Sequence, residues 1–348
     1  MSDTQGTPLH TRSLTIAVSR DSEQVWRARG DVVDLRKRGF VPLAGDIQPS
    51  GVIHSMSIEL SFDPSSLRIA SIVVDQPFVA IESTPATGGE CCRDPAPRLL
   101  AFQGDTLDAD FTKRLGQGFG GPLGCSHLLT LFQLMASTIP RVVALEGERS
   151  GREATFSALG IPFFRRSLFV DGFERDDTTI DVVLQLADTL TRPTPPAVRA
   201  TERLELSHEF KAALRVDRKR FRIETIEAME RQRSHASLGA LDWTLHSERL
   251  SSLVATPIIP GMAGRLFGLL SDDPKARPLL DLLLQIAPGF IQIIATLMDD
   301  YFQQREQSPS NTAPNASSGR PGVAAVGGNT NSCYMWRQDG YLETNRGS

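Results

Sequence analysis

The stretch TRSLTIAVSRDSEQVWRARGDVVDL, running from Thr11 to Leu35, decides how this chain is read, because it lies over RRSLFVDGFERDDTTIDVVLQLADT, which starts at Arg165. The offset is 154 residues throughout, and no gap is needed. Arg12 meets Arg166, Ser13 meets Ser167, Leu14 meets Leu168 and Asp34 meets Asp188. Further along, His54 meets His208, Leu60 meets Leu214, Asp63 meets Asp217 and Ile72 meets Ile226. Chance supplies scattered matches, but it does not hold one register while also aligning alternating apolar positions. The expectation is two homologous halves.

Each half carries the same order of patterns. Leu14 to Val18 and Val25 to Leu35 alternate apolar and polar residues, as half-buried strands do. HSMSIELSF and LRIASIVVD follow, separated by the turn-like DPSS, and read as an antiparallel pair. Helical spacing comes next in PRLLAFQG, DADFTKRLGQGF and SHLLTLFQLMAS, and again in RLSSLVAT, PGMAGRLFGLL and RPLLDLLLQIA. Strands first and helices after predict an α+β fold, internally duplicated, each half an antiparallel sheet with helices packed on it and the halves related by a pseudo-twofold axis. The predicted units are 1–145, carrying the site, and 160–304, a degenerate repeat. A flexible linker rich in Ser, Pro, Gly and Asn is expected over 305–330, and a docking tail over 331–348. That tail groups Cys333, Tyr334, Met335 and Trp336, side chains ill suited to staying solvated.

Composition narrows the function. With 348 residues, 40% hydrophobic and 22% charged, the chain is long enough for two cores. A net charge of −4 gives no electrostatic reason to expect nucleic acid as a partner. The N-terminus lacks the basic and apolar regions of a secretory signal, which predicts a cytoplasmic protein. LLDLLLQIAPGFIQIIATLM approaches membrane-spanning length but carries Asp281, Gln285 and Gln292, so two buried helices broken at Pro288 and Gly289 are expected, with no membrane span. A homodimer is compatible with all of this.

The chemistry concentrates at GGPLGCSHLL. A glycine-rich approach puts Cys125 at a helix N-terminus, where free N–H groups favour a thiolate, and His127 follows two residues later. The plain alternative is a small core cysteine and a satisfied histidine. Cys91 and Cys92 lie on the loop between strands and helices. Convergence of Cys91, Cys92, Cys125 and His127 would make a zinc site, with His54, Asp34 or Cys333 as a fourth ligand. Zinc is the one cofactor that these residues suggest. His54 opens a strand and recurs as His208, which fits either a shared structural hydrogen bond or a proton carrier. The second half has Leu279 and Asp281 where the first has Cys125 and His127, so any site built on that pair is single. No P-loop, G-x-G-x-x-G, H-E-x-x-H or G-x-S-x-G is present.

Together LHTRSL, IHSM, CRDPAP, GGPLGCSHLL with its following LMA, and the terminal NSCYMWRQDG resemble the bacterial family known as domain of unknown function 2889. The resemblance covers the first half and the last fifteen or so residues, with the second half set between them like an insertion. It implies His54, Cys91 or Cys92, Cys125, His127, and Cys333 with Trp336 as the residues that matter. Cys92 is followed by Arg93 where the family pattern has proline, which leaves open which of the paired thiols is the counterpart. The family is loosely associated with breakdown of aromatic and related hydrophobic compounds. A weaker likeness, at the level of fold only, is to iron-sulfur cluster scaffold proteins.

These readings predict a small-molecule catabolic enzyme of lyase or hydrolase type, acting on a hydrophobic or aromatic compound. Cys125, His127 and His54 would carry the chemistry, and Tyr334 and Trp336 would close the substrate pocket. The alternative is a non-catalytic metal- or iron-sulfur-binding scaffold or an interaction module.

Overall fold

Leu14, Ile16 and Val18 are fully buried while Ser13, Thr15 and Ala17 between them are less so, and this alternation sets one face of a sheet against the core. A computed structural model describes residues 6–39, 41–43, 46–150, 159–192, 199–239, 242–297 and 329–345. The first half supplies β1 (Thr7–Arg20), β2 (Trp26–Arg36), the small hairpin β3 (Val41–Leu43) and β4 (Asp46–Gln48), then β5 (Gly51–Phe62) and β6 (Ile69–Phe78). Two helices follow, α1 (Phe111–Phe119) and the long α2 (Ser126–Ser150). The second half supplies β7 (Phe164–Glu174), β8 (Thr179–Thr191), the single turn α3 (Ala200–Arg203), β9 (Leu204–Asp217), β10 (Ile223–Arg233) and the short β11 (Thr244–Leu245). It ends in α4 (Met262–Leu270), α5 (Arg277–Leu283) and α6 (Ile286–Ala295).

All the strands except β3 and β4 form one nine-stranded antiparallel sheet in the order β11-β10-β9-β8-β7-β1-β2-β5-β6. The sequence reading gave each half its own sheet. Instead β1 and β7 pair along their length, with Leu14 opposite Leu168, so each set covers an edge that the other would leave open. The registers recur at the 154-residue offset. Arg12 faces Asp34 and Asp34 faces His54, as Arg166 faces Asp188 and Asp188 faces His208.

The helices cover one face. α2 packs on β1, β2 and β5, α6 on β1, β7 and β8, and α5 on β8 and β9. Close approach of α2 depends on Gly30, where a Cβ would stand 2.6 Å from Met135 Sδ. The expected helix break at Pro288 and Gly289 falls earlier, at Leu284 and Gln285. Pro288 sits in the first turn of α6, where a missing N–H costs nothing. Ser126–Glu148 and Pro274–Ala295 are long and apolar enough to cross a membrane by composition, yet half of the first and most of the second is buried within this fold. Most of the linker expected over 305–330 lies outside the described residues.

Candidate functional site

Extending the alternation of β1 backwards from Leu14 puts Arg12 and His10 on the core face, and β2 likewise puts Asp34 and Arg36 there. His10 faces Arg36 in the adjacent row, and His54 on β5 continues the row from Asp34. All five are buried. Polar residues in such positions need partners, and they find them around Asp34.

Asp34 is fully enclosed. His10 Nε2 lies 3.1 Å from its Oδ1, while Arg12 donates to Oδ2 at 3.3 Å and His127 Nε2 stands 3.3 Å from that same oxygen. His54 Nδ1 is 3.4 Å away but out of line for a hydrogen bond, and it has no other partner. Burial alone would raise the Asp34 carboxyl. The Arg12 charge and the contacts from His10, His127 and His54 overcome it and hold Asp34 well below its ordinary value.

The loop before α2 delivers His127. A Cβ at Gly124 would sit 2.0 Å from the Phe119 carbonyl oxygen, so only glycine fits that bend. Cys125 caps the helix, its carbonyl accepting from Leu129 N–H at 2.9 Å, and His127 reaches back over the sheet. The His127 and His54 rings stack with centroids 3.8 Å apart and planes tilted by 33°. Burial first, then the neighbouring His54, push His127 down to about 3, so at neutral pH its imidazole is uncharged. Asp34 Oδ2 and the Gln292 amide nitrogen both approach its Nε2, each at 3.3 Å, while Nδ1 faces Cys125 Sγ at 3.9 Å.

These groups open onto a cavity of about 170 Å³. Its wall is mainly apolar, with Arg36, Gln48, His54, His127 and Gln292 as the polar exceptions nearest the sheet. The C-terminal segment closes the other side. Tyr334 N–H donates to the Gly124 carbonyl at 2.9 Å, and Met335 is buried with Ile81 and Leu342. A last turn of helix, Tyr341–Thr344, rests against Gly88.

The expected site residues fall into three groups. His54 and His127 meet at Asp34 with Cys125 beside His127, and Cys92, Cys333 and Tyr334 also line the cavity. Cys91 does not line it; its sulfur accepts from Arg93 N–H at 3.2 Å. Trp336 is likewise absent from the lining and packs on the Ile81, Met335 and Leu342 cluster, leaving Met335 to complete the wall. The helix start does lower Cys125, through the backbone N–H groups of Leu128 and His127. Burial outweighs them and pushes the thiol up to about 11, so it is a thiol rather than the expected thiolate. Cys92 is also raised, by burial and by its Cys125 and Cys333 neighbours. Among the described residues, the metal-competent grouping is Asp34, His54 and His127, with ligand atoms within 4.8 Å of one another, and it contains no cysteine.

His10, Arg36 and Gln292 were missed. The signal for the first two was present: H-x-R on β1 and D-x-R on β2 place polar side chains where the alternation demands apolar ones. Gln292 comes from α6, 165 residues along the chain from His127, and meets its Nε2 at 3.3 Å. Nothing local in the sequence joins those two positions.

At the matching register the second half is closed by ion pairs. Arg166 donates to both oxygens of Asp188, at 2.7 and 2.8 Å, and its third nitrogen reaches Asp281 at 2.7 Å. Asp281 also accepts from Ser137 and Arg277.

Residues 10–141 match the family model described as a protein of unknown function, DUF2889. This supports the resemblance over the segment that holds His10, Arg12, Asp34, Arg36, His54, Cys125 and His127. No curated protein and no solved structure matches the chain.

Proposed function

We propose that this protein is a small-molecule enzyme of lyase or hydrolase type that moves protons at a hydrophobic or aromatic compound through His127 and His54. The observation that carries this is the placement of the His127 imidazole, 3.3 Å from the fully buried Asp34 and in the wall of a mainly apolar cavity. A neutral imidazole takes a proton from carbon, or from a water attacking the substrate, and the Asp34 carboxylate stabilises the imidazolium formed. In the lyase case the electron pair left on carbon forms the new double bond, and the leaving group departs with a proton returned from the stacked imidazole pair. Tyr334 and Met335 from the C-terminal segment exclude water. Cys125, as a thiol, serves as a wall and as a hydrogen-bond partner of Nδ1.

The test is deuterium incorporation and product formation by NMR, using the full chain in D2O with a panel of aromatic acids, ethers and esters. Replacing His127 with Ala should abolish both, and replacing Cys125 with Ala should leave at least a tenth of the rate. Loss in the Cys125 variant with survival in the His127 variant would move the chemistry to the thiol.

A second reading, a non-catalytic zinc-binding scaffold, is favoured by the Asp34, His54 and His127 grouping. Stoichiometric zinc in the purified protein, lost with His54→Ala, would support it.

We also infer that the chain is an internal duplication with a pseudo-twofold axis near the Leu14 and Leu168 pair. Support comes from the registers repeated at 154 residues and from hairpins of equal order on either side of that pair. On this reading the second half has exchanged imidazoles for ion pairs and lost its own site.

A further inference from the structure

Arg36 lines the cavity, yet it is 4% exposed and its Nε has no hydrogen-bond partner. One contact is made, from a terminal nitrogen to the Gln48 carbonyl at 3.1 Å. Among the described residues that line the cavity, Arg36 carries a formal charge and no carboxylate does. The nearest anion, Asp34, already answers to Arg12 and to three imidazoles. A guanidinium buried in this way is costly unless something pairs with it.

The second half shows that the fold does not need a cation there. Leu190 occupies the equivalent place, opposite Phe164 as Arg36 is opposite His10, and it is buried as a plain core residue. Arg12 adds to the imbalance. Where Arg166 fills its fork with Asp188, Asp281 and Thr138, Arg12 has one bond to Asp34 and leaves Nε and its other terminal nitrogen unpartnered. The floor of the site thus holds two guanidiniums against one carboxylate.

From this charge balance we propose that the cavity takes a compound with one aromatic or similar apolar ring and a single carboxylate, and that Arg36 binds the carboxylate. The inference rests on the proposed small-molecule function and names its substrate class. Size agrees, since a dry cavity of about 150 Å³ accepts benzene and this one is about 170 Å³. The same balance disfavours a divalent cation, because Arg12 already occupies the Asp34 oxygen that His127 and His54 would share with a metal.

Equilibrium binding tests this without turnover. Benzoate and phenylacetate are titrated into the full chain beside their neutral amides, by calorimetry and ligand-observed NMR. The acids should bind roughly tenfold or more tightly than the amides, because a site built for a charged oxygen pair is left unsatisfied by the amide. Arg36→Gln should abolish that preference and Arg36→Lys should keep part of it. Arg36→Leu, which copies Leu190, should match or exceed the wild-type Tm. Equal binding of acid and amide, no saturable binding of either acid at millimolar concentration, or a large fall in Tm for the Leu variant would overturn the proposal. Tight uptake of added zinc would overturn the charge argument. Loss of acid preference with proton exchange intact would sink this inference alone, whereas acid binding with no exchange would sink the acid–base reading.

Discussion

His127 Nε2 lies 3.3 Å from Asp34 Oδ2, and that contact joins the first turn of α2 to the core face of β2. One side chain belongs to a loop-to-helix junction and the other to a strand interior. Arg12 and the surrounding imidazoles hold Asp34 ionised, while burial and His54 keep His127 uncharged against the pull of Asp34, so the contact ties the wall of the cavity to a buried charge cluster.

Asp34→Leu is expected to destabilise the protein by about 3–5 kcal/mol, the cost of leaving a buried partner charge uncompensated. The stranded group is Arg12, at 2% side-chain exposure. Pairing the change with Arg12→Leu should recover much of the loss, because both charges then leave the core. Urea unfolding of the two single variants and the double variant measures the coupling. Strict additivity would mean that the two groups do not interact.

Acid should weaken the fold in two stages. Burial and His54 push His127 down to about 3, and burial also lowers His10, so the unfolded chain takes up these protons first as pH falls. Their contribution is complete above the ordinary histidine value of about 6.5 and declines as pH falls from there toward 3. Asp34, held well below its ordinary value, acts lower: its contribution is present above about 3.8 and is lost as pH drops further. Urea midpoints at pH 7.5 and 5.0 report the first stage. His127→Gln should flatten the dependence over that interval, and an unchanged slope would place its origin elsewhere.

Deleting 329–348 should open the cavity. Met335 is 1% exposed, and its burial alone is worth about 2 kcal/mol. For a chain of 348 residues that corresponds to a Tm fall of roughly 3 °C. Cys92 and Cys125 should at the same time become more reactive to iodoacetamide, since the segment that shields them is gone. No change in Tm or in labelling would mean that the segment contributes nothing to the fold.

The α+β class and its strand and helix order were legible because burial on one face writes a period of two into strands and a longer period into helices. Leu14, Ile16 and Val18 on β1 and Leu128, Leu131, Phe132 and Met135 on α2 are cases of each. Cys125, His127 and His54 also drew notice as reactive types at a helix start and a strand. Of the two readings of Cys125, burial favours the packed thiol over the thiolate, because desolvation exceeds what two backbone donors return.

By itself, then, the sequence determined which residues alternate, which repeat at 154, and which could react. Tertiary structure alone decided that the two strand sets join at β1 and β7, that Gln292 reaches His127, and that Arg36 faces a cavity instead of a carboxylate. Periodicity is a local property, fixed by the geometry of a single strand or helix. Charge balance is not, because a buried group's ionisation depends on every atom that displaces water around it, and those atoms come from distant parts of the chain.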